Sequence, residues 1–270
     1  MHAADLAPLP LRAAYRRLTS PAAPSRAMRA LVVLVAALIA CSEPADPLSG
    51  RLVDLTHAFD AETIFWPTEE EGFVLEPVFA GHTDGGWWYA ANRFRTAEHG
   101  GTHLDAPIHF AEGQVGVDAV SLWRLVAPGR ILEATDVGGL AGQAVEPGSI
   151  VLIRTGHGRH WGDRARYLGT DRTGPEAVAH LDFPGITPEL AGWLVEREVA
   201  AVGIDTPSID PGASQDFRAH RILAEAGVPI FENVAGLEQL PADGFTVLAL
   251  PMKIRGGSGA PLRIVALVPK

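Results

Sequence analysis

Only one cysteine, Cys41, occurs in the 270 residues. No intramolecular disulfide can form, and no thiolate is available anywhere else in the chain. Positive charge is also scarce: 22 Lys and Arg stand against 32 Asp and Glu, a formal net charge of −10. The first fifty residues hold five arginines and three acids, so the remainder carries 17 basic and 29 acidic side chains, or −12. A surface of that sign repels a phosphate backbone, which excludes nucleic acid as an expected partner. No apolar run reaches the roughly 20 residues that span a bilayer. Nor is there an internal repeat, a low-complexity block or a convincing linker after residue 50. What is present is 47% hydrophobic and 20% charged composition, enough to bury a full core in one large domain and incompatible with disorder.

The uninterrupted apolar stretch Ala30–Ala40, "ALVVLVAALIA", follows Arg26 and Arg29 and has the length of a signal-peptide core. It ends in Cys41, and "LIAC" at Leu38–Cys41 resembles the lipobox of bacterial lipoprotein signal peptides, whose cysteine becomes the lipidated first residue. A short buried helix closing a domain is the alternative. Ser42–Gly50, "SEPADPLSG", is polar and rich in Pro and Ser, as a tether is. The expected division is a lipoprotein-type signal peptide over 1–41, with Met28 as a second candidate start, a flexible tether over 42–50, and one large domain over 51–270. The protein is then exported and anchored on the periplasmic side of the bacterial envelope, touching the membrane only through lipid on Cys41. Arg16–Arg17 hints at a twin-arginine signal but lies far from the apolar run.

Short β-branched runs bounded by turn residues predict buried strands: "SIVLIRTG" from Ser149, "VAAVGID" from Val199, "FTVLALP" from Phe245 and "LRIVALVP" from Leu262. Two segments predict helices. "TPELAGWLVEREV" offers Thr187 as N-cap, Pro188 in the first turn and Leu190, Trp193 and Leu194 at helical spacing. "SQDFRAHRILAEAG" offers Ser214 as cap, Phe217, Ile222 and Leu223 inward, and Gly227 as a stop. Mixed strands and helices with 21 prolines and 29 glycines indicate an α/β or α+β domain with long ordered loops.

The segment His99–Phe110, "HGGTHLDAPIHF", concentrates chemistry. His99, His103, Asp105 and His109 are all odd-numbered, so an extended chain projects them from one face. Two adjacent glycines, Thr102 and Pro107 oppose a helix. Four extended residues cover about 13 Å, so the chain must bend between His99 and His103 if both are to reach one ion, and Gly100–Gly101 supply the bend. Two imidazoles and a carboxylate suit a divalent cation such as zinc or manganese, which lowers the pKa of water toward neutrality. Hydrogen-bonded structural histidines in a polar loop are the alternative reading, against which stands the clustering of four such groups in eleven residues.

This segment resembles the H-x-G-T-H-x-D-x-P-x-H-F signature of the cyclase family, which includes bacterial kynurenine formamidase and isatin hydrolase. "DLTHAFD" at Asp54–Asp60, "GIDTPSID" at Gly203–Asp210 and "HRILAEAGVPIFENVAGL" at His220–Leu237 extend the resemblance over most of 51–270. It implies a swivelling β/β/α fold, usually in a homo-oligomer (dimer or tetramer), and a metal-dependent hydrolase. The metal ligands it implies are His99, His103, Asp105 and Glu232 at one site, and Asp105, His220 and Glu232 at a second. One or two ions, Zn2+ or Mn2+, would serve, with His109 as proton donor and acceptor. The residues themselves add partial support. Glu232 follows "VPIF", a predicted buried strand in which an unpaired carboxylate is costly, so a cation beside it is favoured. His220 sits on the apolar side of its helix, where a satisfied core histidine is a live alternative.

Trp66 in "FWPTE" matches the tryptophan that contacts aromatic substrate in formamidases, although Thr68 and Glu69 replace the glycine and aspartate usual there. Trp87, Trp88 and Tyr89 line a mouth or serve a subunit contact. Asp205 either orients a ligand or caps backbone amides at a turn. His57 is expected to be structural or to support a ligand. "GGSGAP" at Gly256–Pro261 lacks the lysine of a phosphate loop and reads as a turn approaching the site. The expected reaction is hydrolysis of the C–N bond of a small amide, aryl formamide or lactam. Competing readings are a periplasmic metal or small-ligand binding lipoprotein without catalysis, for which His109 has no use, and a cyclase or dehydratase working at the same site.

Overall fold

The computed structural model describes residues 49–140 and 142–270. The expected signal peptide, Cys41 and the tether up to residue 48 lie outside the described residues. Ten strands are described: β1 (Gly50–Asp54), β2 (Val74–His82), β3 (Trp88–Arg95), β4 (His103–Asp105), β5 (Val126–Leu132), β6 (Ile150–Ile153), β7 (Ala201–Ile204), β8 (Ile230–Glu232), β9 (Phe245–Pro251) and β10 (Gly259–Pro269). Between them lie the helices α1 (Leu122–Leu125), α2 (Arg164–Leu168), α3 (Pro188–Glu196) and α4 (Arg218–Glu225). The described residues cluster as one compact unit.

Seven strands close on themselves in the order β10-β4-β8-β7-β6-β5-β9, because β9 pairs with both β5 and β10, while β1 adds to β10. Strands β5, β6, β7 and β8 run parallel to one another and the other pairings are antiparallel. The β6 run shows why its sequence is apolar throughout. Ile150 and Leu152 join the cluster inside the ring, with Val247, Leu262 and Ile264. Val151 and Ile153 join a second cluster, under Leu190, Leu194 and Leu223 of α3 and α4. A parallel strand buried on both faces needs side chains of this kind at every position, each contributing about 1.5–3 kcal/mol on full burial.

Helix α3 forms as its sequence predicts: the Thr187 side chain accepts from the Leu190 amide at 3.2 Å, Pro188 opens the first turn, and Leu190, Ala191 and Leu194 are buried. Helix α4 departs from expectation at its start. The Ser214 hydroxyl accepts from the Phe217 amide in a preceding turn, and the helix opens only at Arg218. Its first amides are satisfied instead by Asp210, whose carboxylate accepts from Ala219 at 2.9 Å and His220 at 3.0 Å. Gly227, with φ of 69°, ends the helix as expected.

Strands β2 and β3 form a separate two-stranded ribbon with a bulge between Pro77 and Phe79. Most of its residues are exposed, and Trp87, Trp88 and Tyr89 at its turn are 64%, 62% and 52% exposed. These aromatics do not line the cavity next to the histidine cluster. No helix among the described residues is long and apolar enough to cross a membrane.

Candidate metal centre

The centre lies on the outer face of the sheet where β4 meets β8. Leu104 points into the ring, so its neighbours His103 and Asp105 turn outward. His103 is registered opposite Glu232 of β8. The first turn of α4 brings His220 against the same two carboxylates: its Nε2 lies 3.2 Å from Asp105 Oδ2 and 3.1 Å from Glu232 Oε1. His103 Nε2 lies 3.1 Å from Asp105 Oδ1 and 3.5 Å from Glu232 Oε2.

His99 arrives by the expected bend. Gly101 has φ of 57°, and Gly100 forms an isolated bridge with Phe65. A Cβ on Gly100 would fall 2.0 Å from the Phe65 ring, and one on Gly101 2.6 Å from Phe59. The glycines therefore supply both the turn and the close packing. His99 Nδ1 consequently sits 2.6 Å from Asp105 Oδ1. The extended reading holds only for His103–Asp105. Beyond them Pro107 opens a 3-10 turn, Pro107–His109, and His109 reaches the site through that turn, its ring stacked on His99 at 3.8 Å.

Each of the three imidazoles nearest Asp105 is held by the nitrogen that faces away. The Ser258 hydroxyl donates to Glu98 at 2.6 Å and therefore accepts from His99 Nε2 at 2.9 Å. His103 Nδ1 donates to the Gly101 carbonyl at 3.0 Å, and His220 Nδ1 to Asp210 Oδ2 at 2.7 Å. The remaining nitrogens converge on Asp105 and Glu232. Anchoring one ring nitrogen to a carbonyl, carboxylate or hydroxyl is how proteins orient a metal-ligating histidine. Two groups have ligand atoms within 4.8 Å of one another: His99, His103 and Asp105, and Asp105, His220 and Glu232. Asp105 is common to both, so the donor set fits one divalent cation or a bridged pair.

The electrostatics agree with that fit. Burial raises the Glu232 carboxyl, and the Asp105 charge raises it further against the pull of His220 and His103. Burial opposes ionisation of Asp105 too, but His99 and His103, with hydrogen bonds from His103 and His220, hold it well below the usual carboxylate range. Desolvation would lower His103, yet Asp105 and Glu232 push it up to about 9. His220 is likewise desolvated and nonetheless lies well above its ordinary value, through Asp105, Asp210 and Glu232. The buried carboxylates thus hold protons on neighbouring imidazoles, which a divalent cation would displace. His109 behaves differently: desolvation by the protein packed around it lowers it to about 4, the other imidazoles reinforcing this and Asp105 opposing it.

A cavity of about 290 Å³ opens on this cluster, lined by Ile64, Phe65, Trp66, Phe110, Pro207 and Phe217 in addition to the ligand-type residues. Trp66 lies in its wall, beside Phe217. Asp205 caps backbone, accepting from Thr155 and Gly156 amides at 3.0 and 2.8 Å. His57 stacks on Trp161 at 3.9 Å, and its amide donates to Thr102 Oγ1. Sequence reasoning missed several contributors. Glu98 and Ser258 sit beside or within segments already singled out, and Asp210 closes the "GIDTPSID" motif, but only the fold reveals what each accepts. Tyr167 and Asn233 are a further pair. The phenol donates to Asn233 Oδ1 at 2.8 Å, and Asn233 Nδ2 donates to the Gly101 carbonyl at 2.7 Å, which locks the bend.

A mixed closed sheet carrying a buried imidazole–carboxylate cluster at the floor of a ligand-sized cavity defines a metal-binding α/β protein with an enzyme-like site. The Cyclase family model matches residues 53–211, and this chain belongs to that family. A kynurenine formamidase of Polaromonas naphthalenivorans is 30% identical over 218 residues, covering 81% of this chain and 88% of that protein. An isatin hydrolase of Roseibium aggregatum is 30% identical over 209 residues, covering 68% and 77%. Isatin hydrolase A from Labrenzia aggregata, solved with benzyl benzoate, has a TM-score of 0.70 at 29% identity, covering 89% of this chain and 100% of that one. The mixed α/β cyclase-type fold implied by the signature is therefore the fold of this chain.

Proposed function

We propose that this chain is a metal-dependent hydrolase that cleaves the C–N bond of a small amide, aryl formamide or lactam. The observation that carries the reading is the set of three imidazoles, each pinned through its far nitrogen, converging on Asp105 at the floor of an aromatic cavity. Its relatives named for hydrolysis of a formamide and of isatin support the choice of bond. We assign His99, His103, Asp105, His220 and Glu232 as ligands for one or two divalent ions, Zn2+ or Mn2+. Such an ion, when bound, polarises a carbonyl and makes water nucleophilic at neutral pH.

The chain's own groups do the rest. Trp66 and its aromatic neighbours hold the substrate so that its amide faces the ligand cluster. His109 lies outside both ligand groups and is neutral at physiological pH, free to take a proton from water and return it to the departing nitrogen. A pure binding protein has no role for such a group, which favours catalysis over a storage or sensing lipoprotein. Stripping the protein with a chelator should abolish turnover of formanilide and isatin, and reloading with Zn2+ or Mn2+ should restore it. Undiminished turnover in protein shown to be metal-free would overturn the reading.

Export and lipid attachment at Cys41 belong to the same proposal, on the strength of "LIAC" and the apolar run before it. So does a homo-oligomer, supported by the exposed aromatics of the β2–β3 ribbon. Two strands alone are marginal in water.

A further inference from the structure

Resting on the proposed lipid at Cys41, we infer that the domain has a membrane-facing side: the outer face of β1, β10, β9 and β5 lies against an anionic bilayer surface. Elsewhere on the ring the outer face is covered, since α3 and α4 pack over β6, β7 and β8. On β1, β10, β9 and β5 the inward positions belong to the core inside the ring, and strand register aligns the outward positions in rows. Leu52 stands opposite Leu267, and Leu267 opposite Thr246. Val265 stands opposite Leu248, and Leu248 opposite Val126. Leu52 and Leu250 are 64% and 49% exposed. Helix α1, which leads into β5 and lies against β9, adds Leu122 at 68% and Trp123 at 87%, the most exposed large apolar side chain among the described residues. An exposed apolar patch of this extent marks a contact surface.

Charge identifies the occupant. Residues 51–270 carry 17 basic and 29 acidic side chains, yet these four strands hold Arg51, Arg130 and Arg263 against one acid, Asp54. Asp54 is paired with Arg263, and Arg130 with Asp243. Both lysines of the sequence continue from the same strands, Lys253 after β9 and Lys270 after β10. Apolar side chains with a tryptophan at the edge and cations around them suit the headgroup region of an anionic bilayer. A second copy fits worse, because a two-fold contact sets the same rim against itself, cation facing cation with Asp54 already engaged.

The position of the chain agrees. Gly50 opens β1 at the edge of this face. It lies nine residues after Cys41, a span of at most about 30 Å, so lipid on Cys41 and the face can engage one bilayer together. Strand β8, which carries Glu232, lies across the ring from β9, so the ligand cluster stays on the side away from the lipid.

Label immersion in the lipidated, metal-loaded full chain tests this, in phosphatidylcholine vesicles containing phosphatidylglycerol. With lipid on Cys41, the cysteine introduced by Leu250→Cys, Leu122→Cys or, as a control on α3, Glu189→Cys is the only thiol left to carry a fluorophore. Nitroxide-labelled lipid should quench the label at positions 250 and 122 about threefold more than at 189, and equal quenching overturns the inference. A second arm needs no lipid on the protein. The Cys41→Ser chain should bind vesicles containing phosphatidylglycerol about tenfold more tightly than pure phosphatidylcholine. Adding Lys253→Glu and Lys270→Glu should remove that margin with metal content and melting temperature unchanged. Both proteins keep the apolar run 30–40, so the difference reports the face alone, and an undiminished margin overturns the inference. So does a Leu122→Ser/Leu250→Ser protein that sediments as a monomer where its parent is a dimer, which gives the face to a second copy. An unmodified Cys41 by mass spectrometry counts against the anchor instead, and the vesicle comparison still decides the face.

Discussion

At the scale of single residues, Asp210 joins two tasks. Its carboxylate caps the first amides of α4 and accepts from His220 Nδ1, and its own pKa is lowered, burial being outweighed by the bonds and charge of His220. Asp210→Asn should therefore weaken metal uptake about 10–100-fold, the usual cost of losing a group that orients a ligand. Competition with a chromogenic chelator measures it. Removing the negative charge from the helix start should cost about 0.3–1 kcal/mol of stability besides, and an unchanged metal affinity would remove Asp210 from the site.

His57 makes a pH prediction. Burial lowers it from 6.5 to about 4, and its Nε2 is buried without a hydrogen-bond partner among the described residues. Between those values the unfolded chain binds the proton and the folded chain does not, so the contribution of His57 to stability is complete above pH 6.5 and declines as the pH falls toward 4. His57→Phe preserves the stacking on Trp161 and removes the titration. Its acid limb should be flatter by on the order of 2 kcal/mol, as read from urea midpoints at pH 7 and pH 4.5. Parallel curves for the two proteins would refute this.

At the scale of elements, the bend before β4 is held from three directions. Gly101 is left-handed and pressed against Phe59, Asn233 fixes its carbonyl, and Thr102 Oγ1 donates to the Asn233 carbonyl at 2.7 Å. Gly101→Ala should cost at least about 1–3 kcal/mol through strain and overpacking. It should also move His99 away from Asp105, so that metal content of the purified protein falls along with its melting temperature. Normal metal loading in a destabilised variant would show that the bend serves stability alone. Much of this element was legible beforehand, because two adjacent glycines between candidate ligands turn the chain at little steric cost where any other pair would resist. The start of α4 was not. Ser214 satisfies the local cap rule, but Asp210, distant in the loop, captures the helix amides, and a local rule cannot weigh a competitor brought in by the fold.

At the scale of the whole molecule, the cation is expected to contribute to folding. His103 and His220 hold protons that a divalent ion must displace, so affinity should rise with pH from 6 toward 9. Calorimetry in buffers of differing ionisation enthalpy should detect proton release, and a pH-independent affinity would contradict the assignment of these imidazoles as ligands. The β2–β3 ribbon makes a separate prediction. Phe79 and Tyr89 pack together on one of its faces and Trp88 is exposed near its turn. Replacing Trp88 and Tyr89 with serine should shift the sedimentation coefficient toward the monomer. An oligomer unaffected by the change would place the subunit contact elsewhere.

The sequence alone determined which side chains could do chemistry, where the chain had to bend between them, and which runs had to be buried on both faces. Those properties follow from backbone sterics and from apolar period, both of which are local. Only the tertiary structure decided that Glu232 faces His103 across a strand pair, that Asp210 and Ser258 aim two imidazoles, and that Phe110 and Phe217 wall the cavity. Those relations join positions up to 159 residues apart, as between His99 and Ser258. They exist because ring closure brings β10 beside β4 and α4 over β8, a consequence of burying the whole sheet that no short window of sequence contains.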